Sequence, residues 1–238
     1  TPDIINKKLD FVARFIETFT VRRSVNYRKF GQTTIKYSIF NIIRTIRDND
    51  LDELSQNLTK ETMKIDEQWD GVCNFKLHGM NRKFVKHLLS RISSYTDNLV
   101  GKDTTYVTYH HPNGRLFEIE HIWADKFEQH TDEFEQKYEF NEWRNSAGAL
   151  ILLPQGTNQS FSSNKYEDKL EHYLKENTYA QTLHPQYYFK NPNFLKSEPI
   201  KDLDFKSHPV FKKDDISERQ RLLQRICEKL WSTDYYIL

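Results

Sequence analysis

The sequence predicts a mostly helical α+β protein with one small β element. Glycine is scarce, with seven in 238 residues, and most apolar residues recur at helical spacing. One stretch differs, because residues 116–122 alternate in the manner of a strand and a second apolar run at 149–153 is stopped by Pro154. A helix pattern follows from Asn164. This order predicts two strands, a loop and a helix.

The first hundred residues carry the apolar spacing of four helices. The first pattern ends near Arg22 and Arg23, the second is closed by an Asp-Asn-Asp run at 48–50, and the third follows directly. A fourth helix is predicted over 82–95, and a solvated face is the simpler interpretation of its basic residues. Those basic residues are Arg82, Lys83, Lys86 and Arg91.

The β element is predicted to begin with a hairpin. Residues 106–109 have strong β propensity, and the Asn113-Gly114 turn signal after them leads into the strand at 116–122. An acidic segment, 125–142, separates this strand from the second one. A solvated helix is a simpler interpretation of that segment than a second metal site.

Two further helices are predicted after the second strand. Asn164 followed by Glu167 is a capping-box arrangement, so Asn164 is predicted to be the structural cap of a helix that runs to Glu176. A final helix begins at Asp215 with Glu218 as its capping-box partner. We expect this last helix to pack back onto the N-terminal helices.

Charge and cysteine content exclude several classes of protein. A net charge of +1 provides no bulk electrostatic footprint for nucleic acid, so any such surface must be a local cluster. Cys73 and Cys227 have no CxxC partner, which argues against a zinc ribbon and favours reduced thiols in the cytoplasm. No apolar run reaches the length of a membrane span and no signal peptide is present, so we predict a cytoplasmic protein without a membrane partner.

Polar residues that could carry chemistry lie at the ends of the β element. Glu120 and His121 leave the first strand, and Asn158 lies in the loop before the helix. A histidine can take a proton from water near neutrality, whereas carboxylate and amide oxygens suit Mg²⁺. A metal beside a histidine base is what phosphodiester hydrolysis requires. Taken alone, the Glu-His pair is better explained as a strand end with a buried histidine.

Four segments together resemble one known family. They are EHIW at 120–123, GALILLP at 148–154, GTNQSFSSNKYEDK at 156–169 and LEHY at 170–173. This set resembles the HNH nuclease domain of the GmrSD type IV restriction family, closely over 104–183 and more loosely over the helical flanks. The resemblance implies a ββα-metal fold and DNA endonuclease activity directed at modified phage DNA.

The resemblance also implies roles for individual residues. His121 takes the position of the family's general base and Glu120 that of a metal-coordinating carboxylate. Asn158 takes the third HNH position, which is catalytic and supplies a metal ligand. The expected cofactor is one Mg²⁺ or Mn²⁺ ion held by Glu120 and Asn158. Lys165 and Lys169, in the early turns of the following helix, are predicted to contact a substrate phosphate.

One position departs from the family pattern. Where the family has Gly-Asn-Leu, this chain has Gly148-Ala149-Leu150. The missing asparagine commonly ties down the loop around the metal. Asn145 and Ser146 are the nearby polar residues that could replace it.

The combined pattern predicts an α+β, mostly α, protein with a ββα-metal (HNH) core and helical flanks. We expect a helical segment over 1–100, the nuclease core over 101–200, and a C-terminal helix over 201–238. The predicted function is metal-dependent DNA endonuclease activity, by nicking or double-strand cleavage, as the nuclease part of an anti-phage restriction protein. The alternative is a non-catalytic DNA- or partner-binding module on a decayed ββα fold.

The predicted partners follow from this function. They are double-stranded DNA, including modified DNA, and an upstream recognition domain of the same protein. The chain begins Thr1-Pro2-Asp3 without a methionine, and we expect it to be the C-terminal part of a longer protein. Nicking of plasmid would separate the nuclease from the binding module, because a binding module shifts DNA without breaking it.

Overall fold

Helices make up most of the structure, and two strands form one small sheet. The computed structural model describes residues 1–110, 116–157 and 164–237. The strands are β1 (Phe117–His121) and β2 (Leu150–Pro154). This confirms the predicted α+β, mostly α, class. The α-helices are α1 (Pro2–Val25), α2 (Gln32–Ile46), α3 (Leu51–Met63), α4 (Arg82–Asn98), α5 (Tyr106–His110), α6 (Lys137–Arg144), α7 (Tyr166–Tyr173), α8 (Thr178–Gln181), α9 (Pro185–Lys190) and α10 (Lys213–Leu230).

The chain forms two compact units. One comprises Thr1–Gly71 together with the chain from Cys227 onward, and the other comprises Val72–Ile226. The first unit packs α3 against α1 and against the 3₁₀ turn Thr233–Tyr236. The three-segment domain organisation expected from the sequence stays a prediction. The buried core of the first unit consists of Phe11, Phe15, Phe19, Leu54, Leu58, Ile65 and Tyr236.

The second unit contains the sheet. β1 pairs antiparallel with β2, with Phe117 opposite Pro154 and His121 opposite Leu150. Every residue of β2 is buried, as its unbroken apolar run predicts. Pro154 lies at the end of its strand, where the absence of an N–H donor costs no ladder hydrogen bond.

Residues 106–109 are not a strand, so the predicted hairpin is wrong in its first arm. They belong to α5, which packs on α4. Thr105 accepts a hydrogen bond from the backbone of Thr108, whose side-chain oxygen accepts from the Thr105 backbone. This local turn and the burial of Tyr109 outweigh the β propensity of the segment. The Asn113-Gly114 turn signal lies outside the described residues.

Asp97 holds three helices of the second unit together. Its carboxylate is buried, accepts a hydrogen bond from the Tyr109 hydroxyl of α5, and accepts another from the Thr178 backbone N–H of α8 at 2.9 Å. Burial alone would raise the pKa of Asp97, but the hydrogen bonds from Thr178 and Tyr109 outweigh burial and hold the pKa below its usual range. The carboxylate is therefore stabilised in its ionised form.

Gly148 lies where α10 comes closest to the turn before β2. A Cβ atom at this position would be 2.3 Å from the carbonyl oxygen of Ile216 and 2.9 Å from the amide nitrogen of Gln220. The Nε of Arg219 donates to the Gly148 carbonyl at 3.1 Å. Glycine is therefore required for the close approach between this turn and α10.

The structure bears on the expectations about the two cysteines and about membrane-spanning segments. Cys73 and Cys227, both described, are not joined by a disulfide. None of the helices in the described part of the chain combines the length and apolar composition that a membrane span requires.

We predict that Asp97→Ala destabilises the protein by about 2–4 kcal/mol, because the Tyr109 hydroxyl and the Thr178 N–H would lose their buried acceptor. The folded-state pKa of Asp97 lies below its unfolded value, so this stabilisation is present above about pH 4 and is lost as the pH falls. Urea unfolding at pH 7 and at pH 3 measures both effects. Asp103→Ala, at an exposed position, is the control. Equal destabilisation by the two variants would contradict the assignment.

Candidate functional site

β1 places Glu120 and His121 on opposite faces of the sheet, because successive side chains of a strand alternate. His121 shares its face with Phe117, whose ring packs edge-on against Tyr109 of α5 with 4.9 Å between ring centroids. Glu120 faces α7, where it meets Lys169. The two adjacent residues therefore have separate surroundings.

The His121 ring is held by Asn145. The His121 Nε2 lies 2.9 Å from the Asn145 Oδ1. With this oxygen as the acceptor, Nε2 carries the proton and Nδ1 is the nitrogen that can accept one. Asn145 is itself fixed at the C-terminal cap of α6, and its carbonyl accepts a hydrogen bond from the Leu77 N–H at 2.8 Å.

The charges of three positive side chains act on His121. Burial and the charge of Arg144 lower the pKa of His121 to about 4, with Lys169 and Arg82 adding to the decrease and the Asn145 hydrogen bond opposing it. The ring is therefore neutral at pH 7. The Nε of Arg144 donates to the Trp123 carbonyl at 3.1 Å, which fixes that charge beside the strand end.

Glu120 and Lys169 form a buried ion pair. The Lys169 Nζ lies 2.5 Å from the Glu120 Oε1 and donates a second hydrogen bond to the His121 carbonyl at 2.9 Å. Lys169 is 1% exposed and Glu120 is 4% exposed. Burial raises the pKa of Glu120, and the charge of Lys169 opposes that change. Lys169 thus binds two groups at the end of β1 from inside the protein.

The structure separates the two lysines that were predicted to contact phosphate. Lys165 is exposed and occupies the N-cap position of α7, whereas Lys169 is buried against Glu120. Asn164 lies one residue before the cap position, and the cap has no side-chain hydrogen bond. Asn158, the predicted catalytic metal ligand, lies outside the described residues.

The family's middle asparagine position is filled by a buried alanine. The Ala149 carbonyl accepts a hydrogen bond from the Ile122 N–H at 2.9 Å, which extends the pairing of the strands beyond His121. Of the two polar residues considered as replacements, Asn145 contacts His121, while the Ser146 hydroxyl donates to the Glu142 carbonyl. Sequence reasoning did not identify Arg144, because nothing in its local pattern distinguishes it from other helix-end arginines.

The described side chains around His121 are poorly suited to bind the expected metal ion. Glu120 offers a hard oxygen, but the Lys169 ammonium engages this carboxylate, and a divalent cation would have to displace it. The described residues at this strand end therefore do not form a set that fits the ion. Within the described ranges, one group of three histidine or acidic side chains is close enough to share an ion: His208, Asp215 and Glu218.

That three-residue group is already engaged at the start of α10. Asp215 contacts the His208 Nδ1 at 2.7 Å and accepts a hydrogen bond from the Lys212 backbone N–H at 2.7 Å. Glu218 is paired with Lys206. These hydrogen bonds and ion pairs show that the three side chains stabilise the start of α10.

Comparison with known proteins gives one family. A family model described as GmrSD restriction endonucleases, C-terminal domain, matches residues 20–226. The matched span contains the second unit and all the residues around His121. No curated protein matches the chain, and no solved structure matches it.

We predict that Lys169→Met destabilises the protein by about 3–5 kcal/mol, because it leaves the Glu120 carboxylate buried without its partner. The double variant Glu120→Gln with Lys169→Met should recover most of this loss, since no charge then remains buried. Urea unfolding of the four proteins of this cycle measures the coupling. Additive losses in the double variant would show that the two side chains do not act as a pair.

Proposed function

Because the chain belongs to the family of GmrSD restriction endonucleases, C-terminal domain, we propose that it is a DNA endonuclease in which His121 is the general base. Family membership implies a restriction nuclease role. To this role the proposal adds three points: His121 accepts the proton, the mechanism is of the HNH type, and nearby charges set the basicity of His121. We also propose that the chain is part of an anti-phage restriction protein.

The observation that supports this proposal most is the hydrogen bond between His121 Nε2 and Asn145 Oδ1. It fixes the ring at the strand end and leaves Nδ1 as the basic nitrogen. The ring is partly exposed, in contrast to the buried Glu120 beside it. A positioned neutral imidazole is the group most often used to take a proton from an attacking nucleophile.

The proposed reaction is hydrolysis of one phosphodiester bond. Water attacks the phosphorus atom as Nδ1 of His121 accepts one of its protons, and the bond between phosphorus and the leaving oxygen breaks. The leaving oxygen takes a proton from solvent, and His121 later releases its proton to solvent. Atoms and charge balance without any residue being consumed.

The low pKa of His121 sets a condition on this chemistry. A base whose conjugate acid has a pKa of about 4 takes a proton weakly at pH 7. Burial is the main cause of this low pKa, and the charges of Arg144 and Arg82 add to it. A DNA phosphate bound beside these two side chains would offset their charges and so raise the pKa. Substrate binding would then strengthen the base at the moment when it is needed.

A requirement for a divalent metal ion is a separate hypothesis about the same reaction. The sequence resemblance implies one Mg²⁺ or Mn²⁺ ion at Glu120 and Asn158, and the engagement of Glu120 by Lys169 does not favour that site. The proposed reaction therefore uses His121 as its base and involves no metal ion. Plasmid nicking with Mg²⁺, with Mn²⁺ and with EDTA tests whether a divalent ion is required.

We predict that His121→Ala lowers plasmid nicking by about 10²–10⁴-fold, the range typical of a lost general base. The circular dichroism spectrum should be unchanged, because the ring lies at a strand end and is partly exposed. His172→Ala, on α7, is the matched control and should nick like the parent. Parent-like nicking by folded His121→Ala would exclude His121 as the base. DNA binding by the parent without any strand breaks would instead favour the non-catalytic module.

We predict that His121 titrates near pH 4 in the free protein and at a higher pH when a short DNA duplex is bound. Arg144→Gln should also raise the midpoint, because it removes a positive charge beside the ring. The measurement is an NMR titration of the ring proton, assigned by its absence in His121→Gln. A midpoint that DNA leaves unchanged would contradict the proposed link between phosphate binding and base strength.

A further inference from the structure

The start of α4 is tied directly to the residue that holds His121. The Leu77 N–H donates to the Asn145 carbonyl at 2.8 Å, and the neighbouring Lys76 forms an isolated β-bridge with Ser146. The Asn81 side chain then donates to the Lys76 carbonyl at 2.8 Å, one residue before α4 begins. These contacts place the first turn of α4 beside the His121–Asn145 pair.

Three cations lie on one face of this part of α4. Positions 82, 83 and 86 fall within about 100° of arc on a helix of 3.6 residues per turn. Arg82 and Lys83 are exposed, and Lys86 is partly exposed. We call this surface the α4 basic face and define it as Arg82, Lys83 and Lys86.

Several lysines of the second unit have carboxylate partners, and among the described residues the three cations of the α4 basic face have none. Lys76 pairs with Glu142, Lys201 with Glu198, and Lys212 with Asp132. For the α4 basic face, by contrast, the described residues supply no ion pair. The positive charge of this face is therefore available to an anionic partner.

The position of the charge also opposes helix stability. Carboxylates are favoured in the first turn of a helix and cations are disfavoured there. α4 has no acidic residue in its first turn, although α3 and α7 each have two. Clustered unpaired cations at this end of the helix cost folding energy, and an anionic partner would offset that cost.

The basic face is electrostatically continuous with the site. Burial is the main cause of the low pKa of both His121 and His110, and cations of α4 add to it: Arg82 at His121, and Lys86, one helical turn farther along, at His110. The positive charges of the α4 basic face therefore act on His121 and on the neighbouring part of the second unit. This local field is present although the chain has a net charge of only +1.

We propose that the α4 basic face binds the phosphates of the DNA strand that flank the phosphate attacked at His121. This inference rests on the proposed function and names the surface by which the substrate is held. Contacts to phosphates position a duplex without reading its sequence, so the face would set affinity rather than specificity. Arg82 would bind nearest to the attacked phosphate, and Lys86 about 6 Å farther along the helix.

The test is fluorescence anisotropy of a labelled 20-base-pair duplex, measured over a series of salt concentrations in EDTA. The His121→Gln protein serves as the parent, so that no cleavage occurs. Arg82→Ala and Lys86→Ala should each weaken binding several-fold and lower the slope of log K against log salt by about 0.9. Lys196→Ala, which removes an exposed lysine on another element, should leave both values unchanged.

Conservative variants separate charge from folding. Lys86→Arg and Arg82→Lys should retain the salt slope of the parent, and circular dichroism confirms that each protein is folded. If the parent binds DNA and the alanine variants keep its slope, the α4 basic face is not the binding surface, while the proposed nuclease function stands. If the parent binds no DNA at low salt, this inference and the proposed function both fail.

Discussion

The ion pair between Lys169 and Glu120 lies inside the protein, where either charge without the other would be strongly unfavourable. Lys169 also donates to the His121 carbonyl, so one ammonium group fixes the last two residues of β1 against α7. Because side chains alternate along a strand, fixing Glu120 on one face fixes His121 on the other. The orientation of the His121 ring thus depends on the Lys169–Glu120 ion pair, in which the ring itself takes no part.

Cations act on His121 from both faces of the sheet, in a chain that is almost neutral as a whole. Burial lowers the pKa of His121 most, and the charges of Arg144, Lys169 and Arg82 lower it further. Arg144 is held by the Trp123 carbonyl, Lys169 by the buried Glu120 carboxylate, and Arg82 by its position on α4. Such a field makes a poor base in the absence of an anion and a good binding site for one. A nuclease built in this way would keep its base weak until a phosphate arrives.

Where the family has its middle asparagine, this chain has Ala149, which makes its contact through the backbone. Gly148 and Ala149 lie in a tight turn that α10 covers closely, and the Ala149 carbonyl extends the strand pairing past His121. The side-chain contact to His121 comes instead from Asn145, four residues earlier in the chain. The hydrogen bond at position 149 is thus made by the backbone, and the side-chain contact to His121 is made by Asn145.

Local patterns in the sequence were sufficient to predict the two strands, the helix after them and the position of His121 at a strand end. They were sufficient because alternation and helical spacing depend only on neighbouring residues. They were not sufficient at residues 106–109, where burial of Tyr109 against Asp97 overrides β propensity. The partners of the site were also decided by the tertiary structure alone. Asn145 is 24 residues from His121, and Lys169 is 49 residues from Glu120. A periodic pattern in the sequence cannot predict which distant side chains the fold brings together. The sequence marked Lys169 only as a cation near the start of a helix, and burial beside a carboxylate determined what that cation contacts.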